Sequence, residues 1–77
     1  MENTNDKMQF IALAIQKYNL KNAKSCEIVE FIQYPQKRKN GAEYALVFSV
    51  HRWNGDSSNT IEYNSYAQLK AWFDFHC

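Results

Sequence analysis

Apolar and polar positions recur along the chain with two different periods, and the switch between them marks the elements. Over residues 5–19, Met8, Ile11, Ala12, Ala14, Ile15 and Tyr18 share one broad face at about 100° per residue, while Gln9, Gln16 and Lys17 lie away from it. This predicts a helix. Phe10 and Leu13 fall off that face, so they either widen the helix contact or stand as an exposed apolar pair for a partner to cover. Residues 26–34 are rich in strand formers and run into Pro35, which suits an edge strand because proline removes a ladder donor. A short helix capped by Ser25 is the alternative there, since Ile28, Phe31 and Ile32 also fit a helical face. Residues 42–53 alternate strictly and place Tyr44, Leu46, Phe48 and Val50 on a core side. A third strand through Ile61 and Tyr63 leads to a second helix whose aromatic stripe is Tyr66, Leu69, Trp72, Phe73 and His76. Ser65 with Gln68 three positions later forms its capping box.

Both glycines follow asparagine, at Asn40-Gly41 and Asn54-Gly55, and this pair supplies the positive-φ residues of a tight hairpin. A two-residue turn at Asn54-Gly55 sets Trp53 against Asp56, Phe48 against Ile61 and Leu46 against Tyr63, with all core residues on one side. The parity of the first hairpin is open. A tight Asn40-Gly41 turn sends Ile28, Glu30, Ile32 and Tyr34 outward, whereas a one-residue bulge sends Val29 and Phe31 outward. The expected fold is α+β: a two-layer αβββα arrangement in which a three-stranded antiparallel sheet carries the N- and C-terminal helices on one face. Residues 1–77 make one domain, with no internal repeat or linker.

That architecture leaves one sheet face to solvent, showing Ala45, Val47, Ser49, His51 and Trp53 with Thr60 and Glu62. An open face this apolar suits a partner, and Val47, His51, Trp53 and Tyr34, with Phe10 and Leu13, are the candidate partner-binding residues. Composition adds that a chain this short must build its core from large rings, which five Tyr, five Phe and two Trp provide.

Charge and chemistry narrow the function. The net charge of +1 gives no general basic coat. Lys37, Arg38 and Lys39 cluster at the first hairpin tip, with Arg52 on the same strand pair and Lys17, Lys21 and Lys24 along and after the first helix. Such a tip contacts phosphates with a salt-dependent affinity, and Tyr34 beside it can stack on a base; the same run is also a common way to keep a sheet edge solvated. Cys26, Cys77, His51 and His76 lack the spacing of a zinc site, and the glycines form no phosphate-cradling loop. Cys26 and His51 on neighbouring strands are the one arrangement that suggests nucleophilic chemistry. The expectation is a non-enzyme without metal or cofactor. Asn3, Thr4, Asn5, Asp6 and Lys7 interrupt any apolar signal core, and no apolar run reaches membrane-spanning length, so a cytoplasmic protein without membrane contact is expected.

The stretch Tyr63-Asn64-Ser65-Tyr66-Ala67-Gln68-Leu69-Lys70-Ala71-Trp72-Phe73 resembles the strand-to-helix corner of small phage-encoded anti-CRISPR inhibitors of the type I-F surveillance complex. The shared pattern is aromatic-x-Ser-x-x-Gln-Leu-x-x-Trp-Phe. The element order is also similar to an acidic, DNA-mimicking anti-CRISPR, although this chain lacks the acidic surface that mimicry needs. What the resemblance implies is a class: a phage protein, acting in the host cytoplasm, that occludes a surface of a CRISPR-Cas effector complex without catalysis. No contact residue is carried over from it. The alternatives are a nucleic-acid-binding accessory protein of a mobile element, acting through the basic hairpin tip, and a homodimeric structural module that buries the open sheet face against its own copy.

Overall fold

The computed structural model describes residues 4–76; Asn3 and Cys77, both weighed above, lie outside that range. The order is α1 (Thr4–Asn22), β1 (Cys26–Gln33), β2 (Tyr44–Val50), β3 (Ser57–Tyr63) and α2 (Tyr66–His76). The strands form one antiparallel sheet in the order β1-β2-β3. Both helices contribute to one core. Ile11 and Ala14 of α1 and Leu69 and Phe73 of α2 are buried together with Ile28, Tyr44, Leu46, Phe48 and Tyr63 of the sheet. The α+β fold with two terminal helices is as the periodicity predicts.

The 26–34 segment resolves as a strand over Cys26–Gln33, and the reason it also reads as a helix is visible in the register. Ile28 pairs with Phe48 and Phe31 pairs with Leu46, with a bulge at Val29 between Ile28 and Glu30. The extra residue puts side chains three apart on the same side of a strand, imitating helical spacing. It also settles the first hairpin's parity in a mixed way. Beyond Val29 toward the turn, Glu30 and Ile32 stand opposite Val47 and Ala45, outward as a tight turn requires; before it, Ile28 is turned into the core.

That turn is not built on Asn40-Gly41 as its central pair. The Gly41 N–H donates to the Arg38 carbonyl at 2.8 Å and the Arg38 N–H to the Ala42 carbonyl at 2.9 Å. Lys39 and Asn40 therefore form the tip, and Gly41 follows them at φ +88, a conformation in which a Cβ is strained.

The second hairpin departs from the expected register by two residues. Val50 pairs with Ser57, Phe48 with Asn59, Leu46 with Ile61 and Tyr44 with Tyr63. A slip of two keeps every side chain on its face, so Tyr63 still reaches the core. What it changes is the turn: residues 51–56 form a six-residue connection. The His51 N–H stays with β1, donating to the Ser25 carbonyl at 2.9 Å, and the Gly55 N–H closes on the Arg52 carbonyl at 3.1 Å.

Helix α1 runs to Asn22, three residues past the end that its periodicity predicts, whereas α2 opens on its expected cap. The Gln68 N–H donates to Ser65 Oγ at 3.1 Å, while Gln68 Oε1 accepts from the Asn64 N–H at 2.6 Å, one residue earlier than the usual reciprocal cap. Along α2, Trp72 gathers Tyr18, Phe48, Tyr63, Phe73 and the exposed ring of His76, the last stacked at 4.3 Å. On α1, Ile11 and Ala14 are buried and Met8, Ile15 and Tyr18 pack against the core, but Ala12 is exposed, so the predicted face is narrower by one position. Near the end of α1 the Asn19 amide meets the edge of β1. Its Nδ2 donates to the Ile28 carbonyl at 2.9 Å and its Oδ1 accepts from the Ile28 N–H at 2.8 Å. An amide matched to both backbone groups of one residue in this way does what a neighbouring strand would do, and it covers the outer edge of β1 at Ile28.

Candidate functional site

The six residues expected to meet a partner do not form one surface. Val47 and Tyr34 belong to the sheet face turned away from the helices, His51 and Trp53 lie beyond the end of β2, and Phe10 and Leu13 sit on α1 across the sheet. Phe10 takes the role of a widened helix contact. Its ring packs edge-on against Tyr66 and Phe73, with centroids 6.1 and 6.4 Å away. Leu13 remains 59% exposed.

On the face away from the helices, the register places Ala45 between Ile32 and Glu62, Val47 between Glu30 and Thr60, and Ser49 between Glu27 and Ser58. One end of this face is closed by the chain itself. Tyr34 Oη donates to Glu62 Oε2 at 3.0 Å, a bond that spans β2, and Arg38 Nη1 donates to the same oxygen at 3.1 Å with its guanidinium over the Tyr34 ring. Asn40 Nδ2 donates to Glu62 Oε1 at 2.7 Å. Ala45 is completely buried beneath this cluster although it does not belong to the helix-side core. The Asn40 amide, the Tyr34 hydroxyl and Arg38 together hold the Glu62 carboxyl below its ordinary range. Tyr34 is thus a structural clamp rather than a free stacking platform. The uncovered remainder holds Ile32 and Val47, both half-buried, among Glu27, Glu30, Ser49 and the Ser and Thr of β3.

Trp53 was expected on the strand and is not there. It sits in the 51–56 connection and is 98% exposed, because the two-residue slip ends β2 at Val50. His51 lies at the base of the same connection between two carboxylates, with Nδ1 3.1 Å from Asp56 Oδ1 and Nε2 3.9 Å from Glu27 Oε1.

The basic residues are dispersed as well. Arg38 is taken up by Glu62 and Tyr34, and Lys37 Nζ lies 4.0 Å from Glu43 Oε2. Lys39 and Arg52 are exposed, but they belong to connections at opposite ends of β2, whose seven residues separate them by about 20 Å at the usual rise. Arg52 is therefore not part of the Lys37–Lys39 tip. Cys26 pairs with Val50 and packs toward the core, whereas His51 stands opposite Ser25 with its ring among carboxylates; the two side chains have opposite parity and form no pair. Among the described residues no group of three His, Cys, Asp or Glu is arranged to hold a metal ion, and no helix is long and apolar enough to cross a membrane.

Phe10 and Leu13, the pair that the sequence offers to a partner, line a groove of about 500 Å³ between the helices together with Lys17 and Leu20 of α1 and Phe73 and Asp74 of α2; its extension to Leu20 and its wall on α2 were not anticipated. Its signal was present in the sequence. Residues 10, 13, 17 and 20 follow a three-four spacing, a second stripe beside the 8, 11, 15, 18 stripe that packs on the core.

Comparison with known proteins returns nothing to set beside this geometry: no protein-family profile, no curated protein and no solved structure matches the chain.

Proposed function

We propose that the chain is a non-catalytic protein-binding domain that occludes a surface of its target, and that the target is a CRISPR-Cas effector complex. The observation that supports binding is Trp53, a tryptophan 98% exposed on a loop that adjoins the uncovered part of the sheet face. Leaving so large an apolar ring in water gives the isolated domain nothing, whereas tryptophans that enter a partner's pocket dominate many interfaces. Val47 lies further along the uncovered face, and Ile32 at its far end beside Ala45. The target class comes from the resemblance of residues 63–73. In the fold those residues supply the α2 cap and core, with Tyr63, Leu69 and Phe73 buried, so the contacts fall to other surfaces. The dispersal of the cations favours a protein partner over direct nucleic-acid binding.

The experiment mixes the purified chain with a purified type I-F surveillance complex, and with other Cas effectors in parallel. Co-elution and loss of target-DNA binding or cleavage are expected. Replacing Trp53 with Ala is expected to weaken binding at least roughly thirtyfold, the equivalent of about 2 kcal/mol. Failure to engage any effector refutes the target class. Binding that is indifferent to Trp53 refutes the site. A salt-sensitive gel shift with free DNA or RNA favours the nucleic-acid reading.

A further inference from the structure

We infer that the groove between α1 and α2 is a self-association surface, and that its occupant is the same groove of a second copy of this chain. This surface lies across the sheet from Val47, so the inference stands apart from the reading of Trp53.

Helix α1 carries two apolar stripes. The first, Met8, Ile11, Ile15 and Tyr18, is spent on the domain's own core. The second runs Phe10, Leu13, Lys17, Leu20, with the alternating three- and four-residue steps that let side chains of one helix enter the gaps of another. Phe10 reaches α2, but Leu13 is 59% and Leu20 83% exposed along an open groove floored by Phe73. Two leucines three and four residues from a central lysine, lining one concavity, form an unfinished helix contact.

The charges on the groove's rims indicate what finishes it. Lys17 stands on the α1 side and Asp74 on the α2 side, and neither takes part in an ion pair among the described residues. A two-fold axis through the middle of the groove exchanges its rims. Lys17 of each copy is thereby carried over Asp74 of the other, giving two reciprocal ion pairs around the leucine knobs. A surface with one cation and one anion on opposite rims is self-complementary in the manner of an isologous dimer. The net charge of +1 per chain adds little long-range repulsion between copies.

The test is the mass of the full chain by sedimentation over about a hundredfold range of concentration. A monomer–dimer equilibrium is expected. Leu20→Glu abolishes the dimer. Lys17→Glu and Asp74→Lys each weaken it about tenfold by setting like charges face to face, and the double variant carrying both reversals restores it, because the swapped pair is again complementary. All three positions are exposed, so the variants keep the fold, which far-ultraviolet circular dichroism verifies. Trp53→Lys leaves the dimer intact. A monomer at every concentration overturns the inference and leaves the groove to a foreign chain. A dimer that survives Leu20→Glu, that is lost with Trp53→Lys, or whose charge reversals are not mutually rescued, overturns it as well.

Discussion

The contact between Asn19 and Ile28 is a small device with a large expected effect, and Asn19→Ala measures it. The asparagine amide makes two hydrogen bonds, of 2.9 and 2.8 Å, to the carbonyl and the N–H of one residue whose side chain is 4% exposed. Losing two such bonds costs about 1 kcal/mol each when water can replace them, and about 1–3 kcal/mol per group where the peptide stays dry. Alanine recovers roughly 0.6 kcal/mol through its better helix propensity. The net expectation is a loss of about 1.5–5 kcal/mol. A domain of this length has a total stability of roughly 4–12 kcal/mol, so the variant forfeits a large part of it. Urea unfolding followed by tryptophan fluorescence is the assay. The midpoint should fall with the slope unchanged, since the same surface is exposed on unfolding. Gln9→Ala, on an exposed turn of the same helix, is the control and should stay within about 0.5 kcal/mol. If Asn19→Ala is no worse than that control, the edge of β1 is held by something other than this amide and the account of it given above is wrong.

Two further predictions concern titrating groups. The Tyr63 hydroxyl is buried with no hydrogen-bond partner, and burial, with Tyr18 nearby, pushes its pKa up to about 12. Because the folded value lies above the unfolded one of about 10, the contribution is intact below pH 10 and is lost as pH rises toward 12. Tyr63→Phe should equal or exceed the wild type in stability at neutral pH, by up to about 2 kcal/mol, and should lose less of it in alkali; urea midpoints at neutral and alkaline pH decide this, and a marked loss at neutral pH would show that the hydroxyl has a partner after all. For Glu62 the sign is reversed. Its carboxyl, held low first by the Asn40 amide and then by Tyr34 and Arg38, adds stability above the unfolded value of 4.5 that disappears as pH falls through the folded one. Glu62→Gln should therefore differ from the wild type at neutral pH and converge with it in acid, as read from denaturation midpoints; a difference constant with pH removes the carboxylate's charge from the explanation.

Most elements of this protein were legible in its residues because their periodic stretches have one dominant solution; residues 26–34 were the exception, since the bulge at Val29 gives a strand the spacing of a helix. The strict alternation through Tyr44, Leu46, Phe48 and Val50 admits only a strand, and Ser65 with Gln68 fixes where α2 begins. Side-chain parity on β3 also survived an incorrect register, since a slip of two residues leaves every side chain on its original face. The stripe at 10, 13, 17 and 20 was equally readable, although a groove needs the second helix to give it a far wall.

Placement was decided by contacts between residues distant in the sequence. The bulge at Val29 exists because Ile28 and Phe31 both gain by entering one core, and no local rule states that they must. The widened 51–56 turn follows from His51 remaining bonded to Ser25, which carries Trp53 off the sheet and into water. Tyr34, Arg38 and Asn40 converge on Glu62 from more than twenty positions away, drawing Arg38 out of the expected basic tip and into a clamp. Periodicity is a property of neighbours along the chain, so the sequence alone could determine which segments are helix or strand. Registers, bulges and free surfaces depend on which distant groups satisfy one another, and only the folded chain brings those groups together.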